Sequence, residues 1–377
     1  MRKRKPLFSN THSERQWTPD IKQLDEVRPG RQAVASPSWK FWMKNAWGLM
    51  RKLSQGLKYL RLDLIRLEGT LAGSDSPLQV LYLGHGENME YFCRLFFSGP
   101  VKKITLGKQP IWQSAPSSTP FAGVDLLCRE VPLPWSLLPV PSQQAKLLCW
   151  VKQGIPIAET RDAFINTMRR KTRMEAERVI RKYALSVVME SAQDQGSTFY
   201  HALYRPYIES RFGEEGVIVS EARFLAAIAE ARLLLIKQGD TAMGGLVLHQ
   251  QGTTLIDGWT GIRLEEGVPV VPGISDVIDY CCLYLAYQEG FSFVDMGTSR
   301  AFLNDGTLKY KLRWGARLSA GIVPKGTWTL ALNSQREDIR AAINQAGIIG
   351  KRKQGLIVCQ IDEQGNISEV PLSERLP

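Results

Sequence analysis

Between residues 242 and 296 the chain carries a pattern that few sheets can accommodate. Ala242–Gln250 reads as a strand, Gln251-Gly252 makes a tight hairpin turn, and Thr253–Trp259 returns as a second strand. A loop of glycine, proline and acids follows. Then come an apolar helix, Ser275–Glu289, and an apolar strand, Phe291–Met296. A hairpin pairs its strands antiparallel, whereas strand–helix–strand units favour parallel neighbours. Both in one stretch predict an α+β domain on a mixed sheet.

The rest of the chain agrees. Strands are predicted at Leu78–Leu83, Val101–Trp112, Val124–Val131, Leu185–Glu190, Arg232–Lys237, Arg317–Val323, Thr327–Leu332 and Leu356–Ile361. Helices are predicted at Glu87–Phe97, 159–183, Ser197–Phe212, Glu221–Glu230, Thr307–Trp314 and Arg336–Ala346. Residues 1–37 read as a mobile basic tail and 38–68 as an amphipathic helix. The spans 77–190 and 191–332 read as two lobes, and 333–377 as a helix–strand extension.

The amphipathic reading rests on a seam of Trp39, Met43, Ala46, Met50, Leu53, Leu57, Leu60, Leu64 and Leu67, spaced four and three. Lys44, Arg51, Lys52, Lys58 and Arg66 flank it with almost no acids, which argues against a self-pairing coiled coil. Three partners stay open: the protein's own body, another helix, and an anionic membrane surface, to which Trp39, Phe41, Trp42 and Trp47 among lysines are suited.

Charge sharpens this division. The 377 residues carry a net charge of +11, yet residues 1–66 hold 15 Lys/Arg against 5 Asp/Glu. The remainder is nearly neutral, which disfavours a body that tracks nucleic-acid phosphates. Cys93, Cys128, Cys149, Cys281, Cys282 and Cys359 form no CxxC pair and sit in apolar surroundings, as reduced, buried residues do. The basic start Met1–Pro6 is followed by no apolar run, so neither a cleaved signal peptide nor a bilayer span is expected. The expected location is cytoplasmic, with the inner membrane face open as a peripheral site.

Most simple motifs are absent. Gly84-His85-Gly86 follows a strand and opens a helix, but Met89 stands where a dinucleotide loop needs its third glycine. His12, His85, His201 and His249 are scattered, so no metal site is expected. There is no Gly-x-Ser-x-Gly elbow and no Walker loop. Arg169-Arg170-Lys171-Thr172-Arg173, continuing to Arg178, Arg181 and Lys182, is either a solvated helix face or a phosphate-binding surface.

The most informative segment is Gly290–Ala316. A buried strand ends at Asp295-Met296-Gly297, a polar loop follows, and a short helix gathers Lys309, Lys311 and Arg313 around Tyr310 and Trp314. Gly297 and Gly306 suggest close backbone approach, and the cations suggest a site for an anion or a developing oxyanion. The segment resembles the Fem-like branch of the Gcn5-related N-acetyltransferase superfamily, including the BioF2-like acetyltransferase domains. That pattern is G-x-x-x-F-D-x-G followed by G-x-x-x-[FY]-K-x-x-[WF]-G-A. It is met by Gly290, Phe293 (displaced by one), Asp295, Gly297, Gly306, Tyr310, Lys311, Trp314, Gly315 and Ala316. Arg169–Ser191 followed by Thr198-Phe199-Tyr200 resembles the family's linker. The likeness covers 160–332 well and 77–159 weakly.

The resemblance implies tandem lobes, the first degenerate, and a sheet splayed between two central strands. The strand ending Ile256–Gly261 would polarise an acyl carbonyl. Acyl-CoA would be held by Trp259, Thr260, Gly261, Arg263, Gly273 and Ser275. Lys311 is assigned as electrostatic stabiliser or acceptor-phosphate contact, and Asp295 as general base or orienter. Tyr310 or Tyr280 would be the leaving-group acid, with Gly297, Arg300, Lys309 and Arg313 near the acceptor. No metal is implied. The acceptor would be an amine of a sugar, peptide or envelope precursor. An aminoacyl-tRNA donor is the alternative; the near-neutral body weighs against tRNA, and the 169–182 patch keeps it open. Glu265-Glu266-Gly267 replaces the family's phosphate loop, Gln/Arg-x-x-Gly-x-Gly/Ala. Two acids there leave open a reading of another class, an inactive lobe pair acting as a membrane-surface scaffold.

Overall fold

The computed structural model describes residues 15–17, 61–84, 86, 88–110, 123–131, 145–213, 218–319, 326–332, 336–352, 355–363 and 367–372. The seam from Trp39 to Leu60, His12, His85 and nearly all of the basic tail lie outside them.

In chain order the elements are β1 (Arg15–Trp17), β2 (Arg61–Leu71), β3 (Pro77–Gly84), α1 (Met89–Phe96), β4 (Phe97–Pro110), β5 (Leu126–Val131), β6 (Ala145–Leu148) and β7 (Trp150–Pro156). Next come α2 (Arg161–Thr167), α3 (Arg170–Lys182), β8 (Leu185–Ser191), α4 (Ala192–Phe199), a π turn (Tyr200–Tyr204), α5 (Arg205–Phe212) and α6 (Glu221–Ile228). The hairpin region supplies β9 (Arg232–Gln238), β10 (Thr241–Gln251), β11 (Thr254–Ile262), β12 (Leu264–Glu265) and β13 (Val268–Pro269). Last are α7 (Ile274–Gln288), β14 (Phe293–Arg300), α8 (Gly306–Arg313), β15 (Arg317–Ser319), β16 (Thr327–Leu332), α9 (Glu337–Ala346), β17 (Ile349–Arg352), β18 (Gly355–Ile361) and β19 (Ile367–Pro371). The fold is α+β on mixed sheets.

The chain divides into two compact units. Unit 1 holds 1–35, 154–297 and 313–317; unit 2 holds 36–153, 298–312 and 318–377. This differs from a break at 190/191, because α3 and β8 belong with the elements C-terminal to them. β8 pairs antiparallel with β9 from Leu185↔Gln238 to Ser191↔Arg232. On α3, Thr172, Ala176, Val179 and Ile180 are buried. Residues 333–377 are likewise no appendage. β16 pairs with β5 and β6, and β17, β18 and β19 extend the same sheet.

The sheet of unit 1 runs β1-β8-β9-β10-β11-β14-β7-β15. Across it lies α7, apolar nearly all round, with Ile274 and every residue from Val277 to Tyr287 buried. Phe164 of α2 stacks on Tyr287 at 4.6 Å. The predicted helix 159–183 is interrupted at Met168, whose backbone is extended, so α2 and α3 are separate helices.

Unit 2 has a nine-stranded sheet, β19-β18-β17-β6-β16-β5-β3-β2-β4. Here the reading of 38–68 as one helix is corrected at its end. Residues 61–71 form β2, paired with β3 from Asp63↔Gly84 to Thr70↔Pro77 and with β4 on its other edge. Leu62 and Leu64 join one apolar cluster, Leu67 and Leu71 another. Alternate residues of a strand point to opposite faces, so a strand covered on both sides can carry leucines at heptad spacing. In the basic tail, Arg15–Trp17 pairs with β8.

At the start of α9, Arg336 donates to Asp338 at 2.7 Å and to Pro77 O at 2.6 Å, and it pairs with Asp125 at 3.4 Å. Ser76 Oγ also donates to Asp338, at 2.6 Å. Arg336 and Ser76 hold the Asp338 carboxyl down at about 2, below its ordinary 3.8. A lowered folded pKa favours the ionised form in the native state. Its stabilisation is complete above the unfolded value near 4 and fades as pH falls toward 2. Melting temperature is therefore expected to fall through that window, and Asp338→Asn to show a shallower fall over it; identical acid profiles would contradict this.

Candidate functional site

The feature that singles out unit 1 is a short parallel ladder. β11 and β14 pair only at Thr254↔Phe293, Leu255↔Val294 and Ile256↔Asp295. Both strands continue, β11 to Ile262 and β14 past Met296, without a further ladder pair. β11 stays antiparallel to β10 throughout, so its other edge opens beyond Ile256. Backbone groups on such an edge need partners. The register of β10 on β11 moves from Leu246↔Thr260 to Leu248↔Asp257, one extra residue in β11 at Gly258-Trp259. A bulge of this kind re-aims backbone groups. A Cβ on Gly258 would lie 2.7 Å from Val247 O, so the bulge excludes side chains there. This is the splayed strand that the family resemblance implied.

Tight packing holds the open part of β11. A Cβ on Gly261 would stand 2.8 Å from Leu203 Cβ and 2.9 Å from Phe199. Glycine at that position lets the π turn press directly on the strand. π turns are rare and often mark functional positions. Around it, Phe224 meets Tyr200, Tyr204 and Trp259 at ring separations of 5.2 to 5.4 Å. The sequence shows the aromatic residues but not the π turn, because its extra residue per turn leaves no periodic signal.

After β11, Leu264–Glu265 and Val268–Pro269 form a two-residue hairpin with Glu266 and Gly267 at its tip. Both have positive φ, +50° and +79°, the backbone of a tight hairpin turn. Glu265 and Glu266 are exposed there. Gly273 (φ +83°) turns the chain into α7, followed by Ile274, half-buried Ser275 and Asp276. Arg313 approaches Asp276 at 3.9 Å. Arg263 donates through Nε to Ala242 O at 2.7 Å. Its guanidinium is thereby tied to β10.

The other sequence-derived residues fall in two groups. Asp295, Tyr280, Trp259, Thr260, Gly261, Arg263, Gly273, Ser275, Gly297 and Arg313 belong to unit 1; Lys311, Tyr310, Lys309 and Arg300 belong to unit 2. Asp295 is 8% exposed and accepts from Gly297 N at 3.0 Å, so its carboxylate ties the backbone two residues on, inside β14. That strand runs on to Arg300, where the sequence suggested a polar loop. Tyr280 is fully buried, with its hydroxyl 3.5 Å from Glu177 of α3. Burial and that carboxylate push its pKa up, which makes it a reluctant proton donor. Lys311 Nζ donates to Thr298 O at 3.2 Å, and Lys309 Nζ to Asn304 Oδ1 at 2.9 Å. Tyr310 is half-buried. Among the described residues no three His, Cys, Asp or Glu side chains gather as a metal site. All six cysteines are buried and unbridged, and burial pushes the Cys93 thiol up to about 11.

Much of the sequence signature has structural roles. Gly290 (φ +76°) ends α7, and Phe291 N donates to Ala286 O. Trp314 is fully buried. Gly315 (φ +86°) faces Thr167 O so closely that any Cβ would collide with it. At Gly297 and Gly306 a Cβ would stand in open space, with no described atom within 4 Å. Gly297 answers to its positive φ, whereas Gly306 simply opens α8. In denaturant titrations Gly315→Ala is expected to cost about 3 kcal/mol, from strain plus overlap. Gly306→Ala is expected to be neutral or to stabilise by about 0.5 kcal/mol. Equal effects would refute the distinction.

No family model matches the chain, and no curated protein matches it either. Solved structures do resemble it. One is the C-terminal domain of an Agrobacterium fabrum protein assigned as a lysylphosphatidylglycerol synthetase, at 9% identity over 78% of this chain and 88% of that one, TM-score 0.36. FemX is similar at 11% identity over 70% of this chain and 83% of its own, TM-score 0.36. A GCN5-related N-acetyltransferase from Kribbella flavida is similar at 10% identity over 95% and 83%, TM-score 0.28.

Proposed function

We propose that this chain is an N-acyltransferase that moves an acyl group from acyl-CoA to an amine of a sugar, peptide or envelope precursor. The observation that carries this reading is the parting of β11 from β14 beyond Ile256 and Asp295, with a bulge at Gly258-Trp259. Attack of a neutral amine on a thioester builds negative charge on the carbonyl oxygen. Fixed N–H donors on an open strand edge suit that charge, because they need no reorganisation as it forms. In this reading the bulged part of β11 polarises the acyl carbonyl, and the turn at Gly273 into α7 faces the donor's phosphates. Asp295 orients the acceptor, Lys311 stabilises developing charge, and Tyr310 supplies the leaving-group proton. The basic, tryptophan-rich segment 38–60 is the proposed contact with an anionic membrane surface.

A second reading, an aminoacyl-tRNA donor, is favoured by α3. Arg170, Lys171, Arg178, Arg181 and Lys182 are exposed along it, with Glu175 the exposed acid among them. Titration of the full chain with coenzyme A, acetyl-CoA, longer acyl-CoAs and an aminoacyl-tRNA separates the two. A rise in melting temperature with a thioester donor supports the first, and with charged tRNA alone the second. No response to any donor overturns both. With the responding donor, Lys311→Ala is expected to lower turnover about 100-fold while the fold persists. Full turnover in that variant would remove Lys311 from the chemistry.

A further inference from the structure

β14 ends at Arg300, a half-buried cation with unusual surroundings. Its guanidinium carbon lies 3.9 Å from the centroid of the Trp150 ring and 4.2 Å from that of Tyr91. Nη1 donates to Asn88 Oδ1 at 2.6 Å, and Trp150 Nε1 donates to the same oxygen at 3.2 Å. Asn88 is 2% exposed, and its Nδ2 donates to Glu130 Oε1 at 2.5 Å. Tyr82 completes the chain, donating to Glu130 Oε2 at 2.6 Å. Every member lies in unit 2.

The charges do not close on Arg300. Both oxygens of Glu130 accept from neutral donors, Tyr82 and Asn88. Asp305, a carboxylate near the stack, accepts from Tyr91 OH at 3.2 Å and from Leu308 N at 2.7 Å. A second guanidinium, Arg94, lies over the Tyr91 ring at 5.8 Å. Among the described residues Arg300 hydrogen-bonds a neutral amide and pairs with no carboxylate within 4 Å. Its Nε and Nη2 are neither bonded nor sealed from solvent. Drawing a charge even partly out of water without an ionic partner costs free energy, and ring stacking recovers only part of that cost. A guanidinium with both faces covered and a free edge is preorganised for one kind of ligand, a planar oxyanion gripped by two parallel N–H groups.

We propose that Arg300, fixed by Trp150, Tyr91 and Asn88, is a carboxylate-binding site of unit 2. Glu130 and Asp305 near the same stack favour a monoanion over a phosphate dianion. The ligand is a carboxylate on a small molecule, from a free acid or from the terminus of a peptide. The site does not depend on the transfer reading, since donor binding is assigned to unit 1 and is measured separately.

Calorimetric titration of the full chain tests it, with acetate, N-acetylglycine, glycylglycine, N-acetylglycinamide and inorganic phosphate. Saturable binding of the carboxylates and none of the amide is expected. Tighter binding of glycylglycine than of acetate identifies the peptide source, and the reverse order the free acid. Hydrogen exchange of the unaltered protein should show protection by N-acetylglycine in peptides containing Asn88–Phe96 and Thr298–Ala301. Arg300→Lys, which keeps the charge and loses the fork, should weaken binding about tenfold. Absence of saturable carboxylate binding, equal binding of the amide, tighter binding of phosphate, or protection confined to other peptides would each overturn the proposal. So would unchanged affinity in Arg300→Lys. If that variant fails to fold, hydrogen exchange on the unaltered protein decides.

Discussion

Three residues of parallel pairing, Thr254–Ile256 against Phe293–Asp295, organise unit 1. A backbone ladder that stops while both strands continue leaves amide and carbonyl groups that must find other partners. The unit keeps that opening through rigid packing around it. α7 presents an almost entirely buried surface. The π turn leans on Gly261, and the Gly258-Trp259 bulge keeps β11 bound to β10 while turning its backbone. Each support is dense and apolar, so the open edge is held by the core rather than by loops.

Unit 2 solves a different problem, the burial of charge. Glu130, 7% exposed, is acceptable because Tyr82 and Asn88 donate to it. Arg300 is held by stacking and one neutral acceptor. The same fork-shaped side chain that would form an internal ion pair is therefore left facing outward in charge terms. Gly84 belongs to this arrangement, because a Cβ there would meet Tyr82 at 2.7 Å and Glu130 at 2.8 Å. The Gly84-His85-Gly86 sequence thus has a packing reason at its first glycine that owes nothing to a nucleotide.

Local pattern made most elements readable. The helix before β14 appears as expected. The hairpin turns one residue later than read, at Gly252-Thr253 with Gln251 paired to Thr254, and β14 runs on past Asp295 to Arg300. Their signals are short-range: turn chemistry, length and periodicity. Three features escaped. Residues 61–71 form a strand, since leucines on two buried faces imitate a heptad. The units are built from discontinuous segments, because β16 to β19 return to the sheet of β2 to β6. Glu265 ends β12 and Glu266 stands at the tip of an exposed tight hairpin, where the sequence read only a loop.

What the sequence determined by itself was the fold class and most of the local elements. Hairpin, crossover helix and the Gly290–Ala316 pattern each depend on neighbours a few residues apart. Only the tertiary structure decided where β11 leaves β14, and which signature residues are caps or core. It also decided that Arg300 meets a neutral amide and two rings. Those outcomes depend on pairings between residues as far apart as Asn88 and Arg300. Long-range pairing is chosen by the free energy of the whole core, and no local window of sequence contains it.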